Sequence, residues 1–165
     1  MIKRIILLNG PSSSGKSTLA NTLQTIIKDE KDIEYDIISI DDFLEMTTDK
    51  EIFEDDVFEI SSKLCEKAKE ILNLKHGIII DHVITSERIF TQLKENLSLY
   101  DLYLIHVTCP LHELKRREEE RKNRCQDSAE ASYQYLFPKE GYHLIVDTLE
   151  LSARESALKI LKYCI

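Results

Sequence analysis

The sequence predicts an α/β fold, in which one sheet of five parallel strands carries helices on both faces. Segments with strand and helix character alternate five times along the chain, the pattern of a parallel sheet with crossover helices. The first segment, residues 2–9, is almost continuously apolar, as in a strand buried on both faces. A glycine-bracketed loop follows it directly, although the chain has only four glycines in 165 residues. Glycine averages about 7 % of protein sequences, so two in one short loop indicate a special backbone there.

The individual elements follow from apolar periodicity and from the residues that begin and end each segment. The predicted strands are residues 2–9, 35–40, 78–80, 101–108 and 142–146. The predicted helices are residues 17–28, 58–74, 86–97, 111 to about 124, 128–136 and 152–165. Ser86 is a suitable N-cap, Pro110 suits the start of a helix, and Gly77 is expected to end the helix before the third strand. The acidic stretch 41–56 has no clear period and is predicted to be a loop with short helical turns.

Length and composition limit the class of protein. A chain of 165 residues that is 42 % hydrophobic predicts one folded domain over residues 1–165. No apolar run approaches the ~18 residues of a membrane span, and the N-terminal run resembles a strand more than a signal peptide, so we expect a cytoplasmic protein without a membrane partner. The net charge of −8 disfavours nucleic acid as a partner. The four cysteines form no CxxC pair, which indicates reduced thiols rather than zinc ligands or disulfides.

The glycine-bracketed loop, GPSSSGKS at residues 10–17, fits the pattern G-x-x-x-x-G-K-[ST] between a strand and an amphipathic helix. Backbone N–H groups in such a loop, together with the helix N-terminus, bind phosphate. Lys16 would reach the β- and γ-phosphates, and the Ser17 hydroxyl would bind Mg²⁺. The motif therefore predicts a nucleoside triphosphate site. Its predicted residues are Gly10, Pro11, Ser12, Ser13, Ser14, Gly15, Lys16, Ser17 and Thr18.

The rest of the sequence narrows the class of nucleotide-binding protein. There is no Asn-Lys-x-Asp motif for reading guanine and no Ser-Gly-Gly signature of ABC ATPases. The small phosphotransferases remain, and these combine the loop with an acceptor-binding segment after the second strand and with an arginine-bearing lid. The segment at residues 41–57 and the lid at about 116–130 fit those two parts.

Carboxylates follow the second and third predicted strands, where parallel strands end at the ligand crevice. Asp41 or Asp42 could take the proton of an attacking hydroxyl, although both could also belong to a solvated acidic loop. Asp81 could hold Mg²⁺ directly or through water, or could cap the next turn. His82 suits a structural or substrate-pocket role better than metal binding, because no second histidine stands at ligand spacing.

A basic run at residues 115–124 contrasts with the acidic chain around it, with six bases and three acids. Arg117, Arg121 and Arg124 are four and three residues apart, so a continuous helix would present them on one face. Such a face could clamp phosphate, because arginine forks match phosphate oxygens. The alternative is a solvated helix with i,i+4 ion pairs.

These motifs together resemble the chloramphenicol phosphotransferase family. The loop at 10–17 matches, as do Ser39-Ile40-Asp41-Asp42, Ile80-Asp81-His82-Val83, the arginines at 117, 121 and 124, and the closing Val146-Asp147-Thr148. The resemblance implies a P-loop NTPase fold of three layers, similar to nucleotide and shikimate kinases, with strand order 2-3-1-4-5. It also implies ATP and Mg²⁺ as cofactors and the transfer of the γ-phosphate to a hydroxyl.

The resemblance also suggests roles for individual residues. Asp41 takes the place of the catalytic aspartate, Lys16 and the three lid arginines stabilise the transferring phosphoryl group, and Ser17 with Asp81 holds the metal. Asp42, Phe43, Leu44, Met46 and His82 are the predicted contacts for the acceptor. Residues 43–57 differ from those of the antibiotic-modifying member, so chloramphenicol and other hydroxyl compounds both stay open. A nucleoside or metabolite kinase and a nucleotide-dependent regulatory module are the alternatives.

Overall fold

The structure is a computed structural model that describes residues 2–44, 53–121 and 127–165. The strands are β1 Arg4–Asn9, β2 Tyr35–Ser39, β3 Gly77–His82, β4 Asp101–Thr108 and β5 Leu144–Asp147. The helices are α1 Lys16–Lys31, α2 Ile40–Leu44, α3 Glu54–Leu74, α4 Glu87–Asn96, α5 Leu111–Glu120, α6 Ser128–Tyr135 and α7 Ala153–Cys164. Among the helices of the described ranges, none is long and apolar enough to cross a bilayer.

All five strands pair in parallel in the order β2-β3-β1-β4-β5. The predicted fold class and strand order are therefore confirmed. The register aligns Asn9 with His82 on one side of β1 and with His106 on the other. Ser39 is paired with Asp81, so the ends of β2 and β3 meet at the same edge as the loop after β1.

The central strands are buried on both faces because each face is covered by its own helices. Ile5 and Leu7 pack on one face in a core with residues of α3 and α4, whereas Ile6 and Leu8 pack on the other with residues of α1 and α7. Alternate side chains of a strand point to opposite faces, which explains why the sequence of β1 is almost continuously apolar. Each such side chain stabilises the fold by roughly 1.5–3 kcal/mol, so the strand that leads into the loop is firmly anchored.

Helix α3 begins earlier than predicted, at Glu54 rather than at residue 58. Glu54, Asp55 and Asp56 form its first turn, and the Asp56 carboxylate accepts a hydrogen bond from the Phe53 N–H at 3.0 Å. Acidic side chains are favourable at a helix N-terminus because they face unpaired N–H groups and the positive end of the dipole. Within the predicted loop 41–56, residues 41–44 thus belong to α2 and residues 54–56 to α3.

Helix α5 ends at Glu120, so the predicted extension to about residue 124 is wrong. Arg121 caps the helix with φ −93° and ψ 86°, outside the helical region. Three consecutive glutamates at 118–120 disfavour further helix, because negative charge near the C-terminus opposes the dipole. Arg117 and Arg121 therefore do not continue along one helical face, and Arg124 lies outside the described residues.

Gly77 is required for a different reason from the one that the sequence predicts. Helix α3 already ends at Leu74, and Gly77 is the first residue of β3. A Cβ built on Gly77 would lie 2.4 Å from the Tyr35 ring and 2.8 Å from the Arg4 carbonyl oxygen. The position needs glycine because the neighbouring strands and the tyrosine ring occupy the space of a side chain.

Candidate active site

The phosphate loop, residues 10–17, leaves the end of β1 and enters α1 with two residues in left-handed backbone. Ser13 has φ 71° and Gly15 has φ 90°, a conformation that glycine adopts without steric cost. A Cβ on Gly10 would lie 2.1 Å from the Val107 carbonyl oxygen. Gly15 therefore permits the turn itself, whereas Gly10 permits the loop to pack against β4.

Lys16 and Ser17 begin α1 and present their polar groups at the same edge of the sheet. The Lys16 ammonium donates to the Pro11 carbonyl at 2.8 Å and to the Ser14 hydroxyl at 3.4 Å, so it lies across the loop. The Ser17 hydroxyl donates to an Asp81 carboxylate oxygen at 3.0 Å. The sheet thus brings the two predicted metal ligands together from positions 64 residues apart.

The pair of Ser17 and Asp81 has the chemistry of a magnesium site. Mg²⁺ prefers hard oxygen ligands and commonly binds proteins through one or two side chains plus substrate phosphates and water. Within the described ranges no group of three His, Cys, Asp or Glu side chains gathers that could hold a metal alone. A divalent ion at this pair would therefore take further ligands from phosphate oxygens.

Asp41 lies in the short helix α2 at the end of β2. Its N–H donates to the Ser39 hydroxyl at 3.3 Å, and Ser39 is the strand partner of Asp81. Asp41 is half-buried, whereas Asp42 is exposed. Phe43 and Leu44 are partly buried against the core of α3 and α4. Of the remaining predicted acceptor contacts, Met46 lies outside the described residues.

His82 is fully buried behind the phosphate loop. Its Nε2 lies 3.3 Å from the Ser61 hydroxyl of α3. Burial lowers the pKa of His82 to about 4, with a smaller contribution from the nearby positive charge of Lys16. The ring is therefore neutral at pH 7, while a contact with the acceptor stays a prediction.

Arg117 contacts the phosphate loop through a network that the sequence did not reveal. Its Nη1 donates to the Ser13 carbonyl at 3.3 Å and to the Thr148 hydroxyl at 3.0 Å, and its Nη2 donates to the Thr148 carbonyl at 3.1 Å. Its Nε donates to Glu113 at 3.1 Å. Most of its N–H groups are thus engaged with protein oxygens, which fixes the guanidinium at the wall of the site.

Glu113 orients Arg117 although it is itself held by a second arginine. Arg116 donates to both Glu113 oxygens, at 2.9 and 2.6 Å. These bonds from Arg116, opposed by burial and reinforced by Arg117, lower the pKa of Glu113 to about 2. Glu113 is therefore ionised at any pH near neutrality. The basic run at residues 115–124 predicts either a phosphate clamp or i,i+4 ion pairs, and Glu113, which lies before that run, was not among the predicted site residues.

Helix α6 holds the loop from another side. The Ser12 N–H donates to the Ser132 hydroxyl at 2.9 Å, and that hydroxyl donates to the Ser128 carbonyl at 2.6 Å. Helix α5 in turn caps α6, since Glu118 accepts from the Ser128 hydroxyl at 2.8 Å and from the Ala129 N–H at 3.0 Å. Both helices that flank the predicted lid thus contact the phosphate loop.

A pocket of about 260 Å³ opens beside the loop, on the side of β5 and α7. The phosphate loop and the start of α1, the end of α5 and the segment after β5 form its walls. The lining residues are Gly15, Thr18, Leu19, Arg117, Arg121, Thr148, Leu151, Ser152 and Ala153. Of the predicted lid arginines, two therefore face one pocket next to the loop.

Comparison with known proteins assigns the family. The chloramphenicol phosphotransferase-like protein family matches residues 3–164. The chain belongs to this family. No curated protein matches the chain. Membership agrees with the resemblance expected from the sequence, and it covers nearly all of the chain.

Solved structures share the fold of this family member at low sequence identity. The APS kinase CysC of Mycobacterium tuberculosis, solved with AMPPNP and APS, has a TM-score of 0.82 at 18 % identity, with 98 % of this chain and 97 % of that chain covered. A gluconokinase from Sinorhizobium meliloti has a TM-score of 0.68 at 16 % identity, covering 97 % and 94 %. The tunicamycin resistance protein of Deinococcus radiodurans has a TM-score of 0.63 at 16 % identity, covering 97 % and 94 %. The fold is that of P-loop kinases, and family and fold together support a phosphotransferase.

Proposed function

We propose that this chain is an ATP- and Mg²⁺-dependent phosphotransferase that transfers the γ-phosphate to a hydroxyl of a small molecule. The observation that carries the proposal is the Ser17–Asp81 hydrogen bond of 3.0 Å at the end of the phosphate loop. It joins a hydroxyl and a carboxylate oxygen, the ligands that Mg²⁺ takes, beside a loop that matches the phosphate-binding pattern. The partner is a small-molecule acceptor rather than nucleic acid or a membrane.

The phosphate groups would bind along residues 10–18, through backbone N–H groups other than those of Ser12 and Ser14, which donate to the Ser132 hydroxyl and the Pro11 carbonyl; Pro11 has no N–H. Lys16 would bind phosphate oxygens as a mobile positive charge, and Ser17 and Asp81 would hold the metal. A bound metal supplies charge neutralisation at the β- and γ-phosphates. Catalysis of this kind relies on positioning and electrostatics.

The nucleoside would extend into the pocket between the loop and α7. That pocket of about 260 Å³ adjoins Gly15 and has the aliphatic side chains of Leu19 and Leu151 in its walls. Arg117, held in place by Glu113 and Thr148, offers a planar guanidinium on which an aromatic base can stack. Arg121 and Arg124 are proposed to close over the phosphates and stabilise the transferring group.

Asp41 is proposed as the general base that orients and deprotonates the acceptor hydroxyl. It follows β2 at the edge where Ser39 pairs with Asp81, which supports its nearness to the metal ligands. Its half-buried position favours Asp41 over the exposed Asp42 for this role. Asp42, Phe43, Leu44 and Met46 are the proposed acceptor contacts.

A coupled ADP-release assay over a panel of hydroxylated antibiotics and metabolites tests the proposal. Once an acceptor is found, Asp41→Asn and Lys16→Ala should each lower turnover at least ~10²-fold, the scale of a lost general base or a lost charge on the transferring group. Asp29→Asn, an exposed acid on α1, is the matched control and should keep wild-type turnover.

Two results would contradict the proposal. If Asp41→Asn kept turnover within a few fold while ATP binding was unchanged, Asp41 would not be the base. If ATP was consumed only in the presence of a protein partner and no hydroxyl compound was phosphorylated, the regulatory-module alternative would replace the phosphotransferase.

A further inference from the structure

We infer that Thr148 is a positioning residue that sets the phosphate-binding conformation of the loop, acting through Ser14 and Arg117. The inference rests on the proposed nucleotide site and adds to it a residue that touches neither phosphate nor metal in that proposal. It follows from the hydrogen bonds of one hydroxyl and from the rigidity of the peptide bond.

Thr148 is anchored to the sheet. It is the first residue after β5, and its N–H donates to the Thr108 carbonyl at 3.0 Å, which continues the pairing of β4 with β5 by one residue. Thr108 ends β4, a central strand of the sheet. The hydroxyl of Thr148 is therefore presented from backbone that is hydrogen-bonded to β4.

The Thr148 hydroxyl has one proton, and its shortest bond identifies where that proton goes. The hydroxyl donates to the Ser14 carbonyl at 2.6 Å, and a weaker contact of 3.4 Å reaches the Thr108 carbonyl. Its lone pairs are left to accept from Arg117 Nη1 at 3.0 Å. One side chain thus ties the loop and the arginine to β5 at the same time.

Holding a carbonyl fixes the direction of the next N–H. The trans peptide between Ser14 and Gly15 is planar, so its C=O and N–H point in opposite directions. With the Ser14 carbonyl directed at Thr148, the Gly15 N–H is directed away from Thr148. Arg117 does the same one peptide earlier, where it binds the Ser13 carbonyl and the Ser14 N–H turns to the Pro11 carbonyl. The two clamps together hold Ser13 and Gly15 in left-handed backbone.

Arg117 depends on Thr148 as much as the loop does. The guanidinium receives two acceptors from this one residue, the hydroxyl at Nη1 and the carbonyl at Nη2. A change to valine keeps the shape and the carbonyl but removes the hydroxyl. The Ser14 carbonyl then loses its donor and Arg117 loses one acceptor, and both effects loosen the nucleotide site.

Binding of Mg²⁺ with the analogue AMPPNP tests the inference without any acceptor, by titration calorimetry well below the melting temperature. Thr148→Val should raise the dissociation constant about 10-fold, the scale of one lost hydrogen bond, whereas Thr148→Ser should stay within ~3-fold of wild type. The control Thr25→Val removes a hydroxyl that donates to the Asn21 carbonyl on the exposed side of α1, and it should bind like wild type. If Thr148→Val does not fold, Thr148→Cys, with a poorer donor of similar size, is expected to show the same loss.

A purely structural role for Thr148 makes different predictions. It would lower the melting temperature of Thr148→Val without changing the dissociation constant, so wild type, Thr148→Val and Thr148→Ser would all bind alike. A cycle with Arg117→Lys adds a second readout, since residues of one network give a double variant that loses less than the product of the two single losses. Equal binding by wild type and Thr148→Val overturns the inference alone, whereas no binding by wild type overturns the proposed nucleotide site and the inference with it.

Discussion

The buried histidine at the end of β3 makes the folded chain sensitive to mild acid. His82 has a pKa of about 4 in the fold, against an ordinary value of 6.5, because burial disfavours its charged form. Below pH 6.5 His82 binds a proton in the unfolded chain but stays neutral in the folded chain. The free energy of unfolding therefore falls as the pH falls toward 4. The pKa difference corresponds to roughly 3 kcal/mol of unfolding free energy. The folded chain has this stability in full above pH 6.5 and loses it as the pH falls toward 4.

Urea unfolding of wild type and His82→Gln at pH 7, 6, 5 and 4 measures this directly. The variant has its own cost at pH 7, so the readout is the change in the difference between the two proteins. We expect wild type to lose about 3 kcal/mol relative to His82→Gln between pH 7 and 4. His112→Gln, an exposed histidine of α5, serves as the control. Parallel pH profiles for wild type and His82→Gln would refute the assignment of a buried neutral ring.

Three further changes probe other parts of the fold. Gly77→Ala places a Cβ 2.4 Å from the Tyr35 ring, and the overpacking should cost at least about 1–3 kcal/mol in thermal or urea unfolding, an expectation that an unchanged melting temperature would contradict. Ser132→Ala removes the hydroxyl that accepts from the buried Ser12 N–H and should cost about 1–3 kcal/mol, while Ser132→Thr should retain most of the stability in the same measurement. Glu113→Gln removes a carboxylate with a pKa of about 2, so the variant should be less stable than wild type at pH 7. The difference in unfolding free energy should narrow as the pH falls from 4.5 toward 2. A difference independent of pH would show that the ionised form is unimportant.

The parts of the structure that could be predicted from sequence are those with a local signal. The phosphate loop is eight consecutive residues, and the strands around it are buried on both faces, so pattern and periodicity suffice. The start of α3 also had a local signal, because Glu54, Asp55 and Asp56 stand where a first helical turn favours acids. The signal is ambiguous in the sequence because the same residues also fit a solvated acidic loop.

The end of α5 shows a limit of periodicity. Arginines at 117, 121 and 124 have helical spacing, yet the helix ends at Glu120. The Glu118 carboxylate caps the N-terminus of α6, a contact that spans ten and eleven residues and has no signature in α5 itself. This tertiary contact acts together with the unfavourable negative charge of residues 118–120 at the helix C-terminus, and spacing within one segment does not reveal it.

The residues that hold the phosphate loop were not predicted as site residues for a related reason. Ser132 binds the loop from 120 residues away and Thr148 from 134, and both are ordinary hydroxyl residues in their local sequence. The motif states which residues meet the phosphate, but its backbone is left-handed at Ser13, a costly conformation for a residue other than glycine, and needs partners to hold it there. Those partners come from α6 and from the end of β5, on either side of the loop.

Helices α5 and α6 flank the predicted lid, and both contact the phosphate loop. A movement of the lid would therefore change the hydrogen bonds at Ser12 and Ser13. Exchange of the Ser12 and Gly15 amide protons should therefore change together in Ser132→Ala and Thr148→Val if the loop is one mechanical unit, and independently if each hydroxyl holds only its own peptide.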